Sequence, residues 1–130
     1  MHKIMLIDSD VGHLQGLMGV LSKSFNILVC SRGQNAWDLF HFYEPNALIL
    51  DPASAGLDTP NFLSRIRRKT WPHAIPIIAM TQLNTLKHIE ESLEWGADMV
   101  FSKPCQAEKI CKKLMALLPE KEPSEELALI

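Results

Sequence analysis

The sequence predicts an α/β fold in which helices cover both faces of a doubly wound parallel sheet. Residues 3–7 contain a continuous apolar run, which is typical of a strand buried on both faces. Leu14, Leu17, Met18 and Leu21 then recur at the spacing of one helix face. A strand followed by a helix recurs five times along the chain, and this alternation indicates a parallel sheet.

The second helix and the two strands that flank it follow the same pattern. Residues 25–30 predict the second strand, and residues 36–43 predict the second helix. That helix stops before Pro45, because a residue that precedes proline avoids the α region. Residues 47–50 predict the third strand, which ends at Asp51.

A turn-like segment, residues 52–59, leads into the third helix. Thr59 followed by Pro60 is typical of an N-cap with proline at the first helical position. The helix ends in a basic run, residues 65–69. We interpret these charges as complementing the negative end of the helix rather than binding nucleic acid.

The last two strand-then-helix units complete the pattern. Residues 76–80 and 98–102 predict the fourth and fifth strands, and Gly96 closes the fourth helix as a C-terminal cap. The fifth helix ends before Pro119. The residues predicted to form the apolar faces of these two helices are Leu86, Ile89 and Leu93 in the fourth and Ile110, Leu114 and Leu117 in the fifth.

Composition narrows the class of protein. The chain has 130 residues, of which 47% are hydrophobic, so one domain can bury a substantial core. No apolar run approaches the roughly 18 residues of a membrane span, no signal peptide is visible, and a net charge of −2 gives no footprint for nucleic acid. Three cysteines without CxxC spacing argue against a disulfide framework or a zinc site, so we expect a cytoplasmic protein. We expect one domain over residues 1–118, followed over 119–130 by an acidic, proline-containing tail or the start of a linker.

Polar side chains stand at the carboxyl ends of four of the five predicted strands. These residues are Asp8, Asp51, Thr81 and Lys103. Ligands of a doubly wound sheet bind at this edge, although each residue alone would be an ordinary cap, turn residue or solvated charge. Together, two carboxylates suit Mg²⁺, a lysine and a hydroxyl suit phosphoryl oxygens, and an aspartate can itself become an acyl phosphate.

Three segments at these strand ends carry a resemblance to a known family. They are Asp51-Pro-Ala-Ser-Ala-Gly-Leu-Asp58, Ile75-Pro-Ile-Ile-Ala-Met-Thr81, and Gly96-Ala-Asp98 followed by Ser102-Lys-Pro104. With these segments at these spacings, residues 3–118 resemble the response-regulator receiver domain of two-component signalling. The resemblance implies a flavodoxin-like (βα)5 fold with strand order 2-1-3-4-5, and a phosphoacceptor signalling domain rather than an enzyme.

The resemblance also implies a role for each residue of the site. Asp51 is the candidate phosphoacceptor, which takes a phosphoryl group from a histidine kinase or a phosphotransfer protein in a Mg²⁺-dependent step. Asp8 and Asp51 are candidate Mg²⁺ ligands, together with the backbone carbonyl of Ala53. Thr81 is the candidate switch hydroxyl, and Lys103 is the candidate cation for the phosphate, followed by a peptide bond that is expected to be cis.

The sequence departs from the family pattern beside the candidate metal site. The family usually carries two adjacent acids after the first strand, and the second place is taken here by Ser9. We therefore expect this ligand to be weak or lost and Mg²⁺ binding to be weakened. Asp10 is expected to cap the first helix instead. Pro52 follows Asp51 directly, and Ala55 stands where the family often has proline.

Two further departures concern access to the site and its readout. Gln82 stands where the family prefers a small residue, so we expect it to narrow access to Asp51. The switch aromatic of the family corresponds to Val100, and the neighbouring Phe101 is expected on the opposite face of the sheet. A receiver with Val100 cannot signal by swinging an aromatic ring.

The sequence leaves more than one function open. The first is a receiver that relays phosphorylation through a conformational change to an attached or separate output domain. The alternative is a phosphorylation-independent pseudo-receiver that acts as a protein–protein interaction module, which Ser9, Gln82 and Val100 favour. A flavin- or nucleotide-binding enzyme is a third possibility, but it requires a glycine- or hydroxyl-rich phosphate loop after the first strand, where this chain is acidic.

The resemblance further implies a surface for partners or for a homodimer. This surface consists of the fourth helix, the fifth strand and the fifth helix, and we place Trp95 on it. We expect this domain to make no direct contact with nucleic acid or membrane. The five histidines show no ligand spacing.

Overall fold

The computed structural model describes residues 1–82 and 85–120. The strands of this part are β1 (Lys3–Ile7), β2 (Asn26–Cys30), β3 (Ala47–Leu50), β4 (Ile77–Thr81) and β5 (Met99–Ser102). The helices are α1 (Val11–Leu21), α2 (Ala36–Tyr43), α3 (Thr59–Thr70), α4 (Leu86–Glu94) and α5 (Ala107–Leu117). A 3₁₀ turn (Gly33–Asn35) precedes α2.

The strands form one parallel sheet in the order β2-β1-β3-β4-β5, which confirms the predicted doubly wound fold. β1 and β3 pair up to their last residues, so Asp8 and Asp51 leave neighbouring strands at the same level. β4 and β5 also pair up to their last residues, so Thr81 and Lys103 lie at the same edge. The register therefore brings the four predicted polar residues to one edge of the sheet.

Two apolar cores lie on opposite faces of this sheet. One packs between the sheet and helices α1 and α5, and the other packs between the sheet and helices α2 and α3. Ile4 and Leu6 of β1 face the first core, whereas Met5 and Ile7 face the second. Because such a strand is buried on both faces, it needs apolar residues at every position, which explains the continuous apolar runs in the sequence.

The predicted apolar face of α4 is wrong. Leu86 is 70% exposed and Leu93 is 45% exposed, whereas Ser92 is buried. The face that turns inward carries His88, Ser92 and Trp95, which line a cavity beside the loop after β3. The spacings of four and three residues between His88, Ser92 and Trp95 fit the helical period as well as the spacings of the predicted apolar face do. Tertiary packing therefore decides which of the two faces turns inward. Trp95 packs against the second core.

The beginning of α3 also differs from the prediction. Asp58, not Thr59, is the N-cap, and its carboxylate accepts the Asn61 N–H at 3.4 Å. Thr59 and Pro60 occupy the first two helical positions. The Thr59 hydroxyl donates instead to the carbonyl of Pro52, 2.7 Å away, so it ties the helix to the loop after β3.

The ends of α4 and α5 show one confirmed prediction and one error. Gly96 follows α4 with a φ of +123°, a conformation that glycine adopts readily, and so closes the helix as predicted. In α5, Leu117 is exposed and Leu118 is buried instead. Leu118 lies four residues after the buried Leu114, so it continues the inward stripe that Leu117 leaves.

The basic run at the end of α3 makes contacts within the domain. The Arg67 guanidinium donates to the carbonyls of Ile75 and Gly96, at 2.8 and 2.6 Å. The Arg65 guanidinium lies 3.9 Å from the centre of the Trp37 ring. These contacts assign a structural use to two of the charges in the run.

The predicted tail, residues 119–130, lies outside the described residues except for its first two positions. Among the helices that the structure describes, none is long and apolar enough to cross a membrane.

Candidate functional site

One lysine and two aspartates meet at the carboxyl edge of the sheet. The Lys103 ammonium lies 2.8 Å from the Asp51 carboxylate and 3.0 Å from the Asp8 carboxylate. The side chains of Lys103 and Asp8 are only 4% and 1% exposed, so water screens their contact little. Because two negative charges face one positive charge, the cluster keeps a formal charge of −1 that favours a further cation.

These contacts also set the protonation of Lys103. Burial opposes the charged ammonium, but the hydrogen bonds to Asp51 and Asp8 and the charges of both carboxylates outweigh it, so the pKa of Lys103 lies above its ordinary value. Lys103 is therefore a cation at neutral pH and can contact an anionic oxygen. The peptide bond between Lys103 and Pro104 is cis, as predicted.

Asp8 is held by donors from α1 and from the turn before it. Its carboxylate accepts the Asp10 N–H at 2.9 Å and lies 2.8 Å from His13 Nδ1. His13 Nε2 accepts the Cys105 N–H at 3.2 Å, so the ring proton lies on Nδ1 and is donated to Asp8. His13 is not among the site residues predicted from the sequence. Its only signal in the sequence is its position in the first turn of α1, the helix that begins shortly after Asp8.

Asp51 begins a loop whose backbone folds back and donates a hydrogen bond to the Asp51 carboxylate. The Ala53 N–H donates to Asp51 Oδ1 at 2.8 Å, while Lys103 contacts Oδ2. Ser54 closes the turn, because its N–H and its hydroxyl both donate to the Asp51 carbonyl, at 3.1 and 2.7 Å. The Asp51 side chain is 14% exposed, so a reactant can reach it from solvent.

Ser9 contacts this loop as well. The Ser9 hydroxyl oxygen accepts the Ala55 N–H at 2.9 Å. Asp10 caps α1, as predicted, and its carboxylate accepts the His13 N–H at 3.1 Å. Ser9 is therefore hydrogen-bonded to the loop after β3, and Asp10 is hydrogen-bonded to α1.

Thr81 lies beside the Asp51 loop. It is buried at the end of β4 and lines a cavity of about 250 Å³ together with Pro52 and Ala53. Gln82 is exposed and lines a separate cleft with Lys103, between α1 and the beginning of α5. The expected effect of Gln82 on access to Asp51 stays a prediction.

Val100 and Phe101 lie on opposite faces of β5, as the period of two predicts. Val100 packs against the second core and Phe101 against the first. The position of the family's switch aromatic therefore carries a small aliphatic side chain that belongs to a packed core.

The oxygens at this edge fit a hard divalent cation. Asp8 and Asp51 supply two carboxylates, and the turn that contains Ala53, the residue of the expected carbonyl ligand, closes over Asp51. Proteins commonly hold Mg²⁺ with one or two carboxylates while water fills other positions. In the described ranges, 1–82 and 85–120, no group of three or more His, Cys, Asp or Glu residues is placed to hold a metal ion.

Comparison with known proteins gives a family match. The chain matches the sequence profile of the response regulator receiver domain over residues 4–115. Sporulation initiation phosphotransferase F of Bacillus subtilis (strain 168) is 30% identical over 120 residues, which cover 92% of this chain and 95% of that protein. Response regulator MprA of Mycobacterium sp. (strain KMS) is 26% identical over 124 residues, which cover 95% of this chain and 53% of that protein. This chain thus spans about half the length of MprA.

Solved structures show the same fold. A two-component response regulator from Clostridium difficile is 26% identical with a TM-score of 0.80, over 90% of this chain and 95% of that chain. The receiver domain of the Francisella response regulator 1452 is 19% identical with a TM-score of 0.78, over 90% of this chain and 96% of that chain. The likeness to the Francisella domain concerns the fold alone.

Proposed function

This chain belongs to the response-regulator receiver family of two-component systems, and we propose that it accepts a phosphoryl group on Asp51 in a Mg²⁺-dependent step. The observation that carries this proposal is the contact of the Lys103 ammonium with the carboxylates of both Asp8 and Asp51. Thr81 lies at the same edge of the sheet and shares a cavity with Ala53. The proposed nucleophile and the ammonium are thus in contact, and the proposed switch hydroxyl belongs to the same edge of the sheet.

Asp51 is the proposed nucleophile, because it is the more accessible carboxylate of the two. Its side chain is 14% exposed, whereas that of Asp8 is 1% exposed. One Asp51 oxygen attacks the phosphorus of a phosphohistidine, the P–N bond breaks, and its electron pair stays on the histidine nitrogen. The product is an aspartyl phosphate, and the proposed donor is a histidine kinase or a phosphotransfer protein.

Lys103 and Thr81 are the proposed contacts of the transferred group. The Lys103 ammonium lies 2.8 Å from an Asp51 oxygen, so it can pair with a phosphoryl oxygen bonded to that carboxylate. The Thr81 hydroxyl donates to another phosphoryl oxygen. This new contact shifts the end of β4 and relays the signal to an attached or separate output domain.

Asp8, Asp51 and the carbonyl of Ala53 are the groups proposed to hold Mg²⁺. When bound, the ion neutralises negative charge on the phosphoryl oxygens. Ser9 supplies a neutral hydroxyl in place of an acid, so we propose weaker Mg²⁺ binding than at a site with two adjacent acids.

The alternative is a pseudo-receiver, which uses the same fold without phosphoryl chemistry. The engagement of Ser9 with Ala55 and the place of Val100 in the second core favour this alternative. The charged cluster opposes it. Burying charges costs several kcal/mol per ion. A domain that only binds partners would gain nothing from burying charges at this edge. The phosphoacceptor is therefore the function that the geometry supports better.

We place the protein in the cytoplasm, without direct contact of this domain with nucleic acid or membrane. A homodimer through α4, β5 and α5 stays a proposal, with the exposed Leu86 and Leu93 rather than Trp95 as its apolar residues.

Beryllofluoride, a phosphoryl mimic that binds aspartate, tests the phosphoacceptor proposal. NMR spectra are recorded with beryllofluoride and Mg²⁺ together, with each alone, and with an Asp51→Asn variant. We expect the amide signals of Ala53, Thr81 and Lys103 to shift when both are present and Asp51 is intact. An unchanged spectrum under every condition would support the pseudo-receiver.

A further inference from the structure

The loop after β3 (residues 52–58, here the phosphoacceptor loop) is anchored at Ala55 from two sides. The Ala55 N–H donates to the Ser9 hydroxyl at 2.9 Å, and the Ala55 carbonyl accepts the Gly33 N–H at 2.7 Å. Ser9 belongs to the turn after β1, and Gly33 belongs to the 3₁₀ turn after β2. One residue therefore ties the loops of three neighbouring strands together.

Two departures from the family pattern meet in the contact between Ser9 and Ala55. Ser9 stands in place of the second acid, and Ala55 stands where the family often has proline. Proline has no N–H, so a proline at position 55 could not donate to residue 9. The hydrogen bond joins residues 46 positions apart. It requires a residue other than proline at position 55, because the N–H of that residue donates, and it uses the side chain of Ser9 as the acceptor.

Close packing on the other side of the loop agrees with this anchoring. A Cβ atom at Gly33 would lie 2.4 Å from the Leu57 Cα, so a larger residue cannot approach the loop in this way. Gly56 has a φ of +76° and lies against the Gln34 side chain. The phosphoacceptor loop is thus docked on the turn before α2, and Ser9 holds it from the side of the candidate metal site.

We propose that Ser9 is a positioning residue that fixes the phosphoacceptor loop through the Ala55 N–H, in place of the rigidity that proline gives this position. Ala53 lies two residues before Ala55, and its N–H binds Asp51 Oδ1. An anchored Ala55 therefore restricts the movement of the turn that carries Ala53, whose carbonyl is the proposed Mg²⁺ ligand. Ser9 acts on Mg²⁺ through the loop rather than as a ligand. The effect on Mg²⁺ rests on the proposed function, whereas the anchoring of the loop does not.

The test is a double-mutant cycle of Ser9→Ala, Ala55→Pro and the double variant, with Ser9→Thr as the matched control that keeps a hydroxyl. Amide hydrogen exchange of Ala55 and Leu57, followed by NMR, reports on the loop without any phosphorylation. We expect Ser9→Ala to speed exchange of the Ala55 amide about fivefold, the factor of one lost hydrogen bond. Ser9→Thr is expected to stay within about twofold of the parent protein.

Mg²⁺ titration of the same proteins, followed by tryptophan fluorescence, links the loop to the metal site. We expect Ser9→Ala to raise the Mg²⁺ dissociation constant about fivefold, because the loop that carries the Ala53 carbonyl is less well fixed. Ala55→Pro added to Ser9→Ala is expected to restore most of the affinity and to slow exchange of the Leu57 amide again. The two substitutions are therefore expected to be non-additive.

Each outcome decides between distinct conclusions. Unchanged Ala55 exchange in Ser9→Ala, or additive effects in the cycle, would overturn the proposal. Weaker Mg²⁺ binding with unchanged Ala55 exchange would make Ser9 a direct ligand instead. If no protein binds Mg²⁺ while exchange shows the coupling, the proposed function fails and the anchoring stands. If Ala55→Pro does not fold, exchange of the Ala55 amide in Ser9→Ala and Ser9→Thr decides.

Discussion

Lys103 follows β5, and its ammonium contacts the two carboxylates that follow β1 and β3. Removing one partner of a buried ion pair leaves an uncompensated charge, which costs more than the intact pair contributes. Without the ammonium, the carboxylates of Asp8 and Asp51 would face each other directly. We therefore expect Lys103 to influence both the stability of this edge and its affinity for cations.

Lys103→Met is expected to lower the free energy of unfolding by about 3 kcal/mol. Mg²⁺ replaces part of the lost positive charge, so it is expected to stabilise this variant more than the parent protein. Urea unfolding with and without Mg²⁺ measures both effects. Lys112→Met, at an exposed position of α5, is the matched control and is expected within about 0.5 kcal/mol of the parent. An equal response of Lys103→Met and the parent to Mg²⁺ would contradict the linkage.

Burial controls the reactivity of Cys105. Burial raises the pKa of the Cys105 thiol from 9.0 to about 11, and the nearby charge of Lys103 does not offset this rise. The thiolate population at pH 8 is then about a hundredfold lower than for an ordinary thiol. Because the unfolded thiol ionises first, the stability that this group contributes is present below pH 9 and is lost as the pH rises towards about 11.

Iodoacetamide at pH 8 is therefore expected to alkylate Cys105 about a hundredfold more slowly in the folded protein than in urea. Peptide mass mapping over a time course gives the rate at Cys105 separately from those at Cys30 and Cys111. Similar rates for Cys105 in the folded and unfolded protein would show that its thiol is not protected.

At the scale of secondary-structure elements, the loop after β3 is hydrogen-bonded to the loops after β1 and β2. The 3₁₀ turn before α2 approaches the phosphoacceptor loop so closely that Gly33 has no room for a side chain. α1, in contrast, exposes Gly16, around which a Cβ atom would meet nothing within 4 Å. The same substitution is therefore expected to act in opposite directions at these two glycines.

Gly33→Ala is expected to lower the free energy of unfolding by about 2 kcal/mol, because its Cβ would lie 2.4 Å from the backbone of Leu57. Gly16→Ala, within α1, is expected to raise it by about 1 kcal/mol, because alanine loses less backbone freedom than glycine in a helix. Urea denaturation of the two variants measures both changes. Destabilisation of similar size in both would mean that the contact with Leu57 is not the cause.

The sequence predicts elements well where one physical signal dominates and poorly where two compete. The strands are buried on both faces, so their apolar runs are unambiguous. In α4, two stripes satisfy the helical period, and the one with Ser92 packs inward although the other is more apolar. At the start of α3, Asp58 and Thr59 are both good caps, and the Thr59 hydroxyl is used by the Pro52 carbonyl instead.

Site residues that directly follow a strand could be predicted from the sequence, whereas those that depend on the packing of loops could not. Asp8, Asp51 and Lys103 each follow a strand, so the parallel sheet alone brings them to one edge. The contact of His13 with Asp8 is local, but its contact with Cys105, like that of Gly33 with Ala55, joins residues far apart in the chain and leaves no local pattern in the sequence. Long-range hydrogen bonds of this kind depend on how the loops pack against one another.

The whole molecule is organised by its strand order. The order β2-β1-β3-β4-β5 places β1 and β3 side by side, so the two aspartates come from adjacent strands, while β4 and β5 bring Thr81 and Lys103 to the same edge. The proposed nucleophile, the candidate cation site and the proposed phosphate-binding cation are thus assembled from residues spread over most of the chain. Phosphoryl transfer to Asp51 is the activity that this assembly predicts.

The most direct measurement of this claim is the intact mass of the protein after incubation with acetyl phosphate. The incubation is carried out with and without Mg²⁺, for the parent protein and for Asp51→Asn. The predicted result is a gain of one phosphoryl group in the parent with Mg²⁺, and no gain without Mg²⁺ or in Asp51→Asn. A parent protein whose mass stays unchanged with Mg²⁺, and whose spectrum does not respond to beryllofluoride, would contradict the claim that Asp51 is a phosphoacceptor.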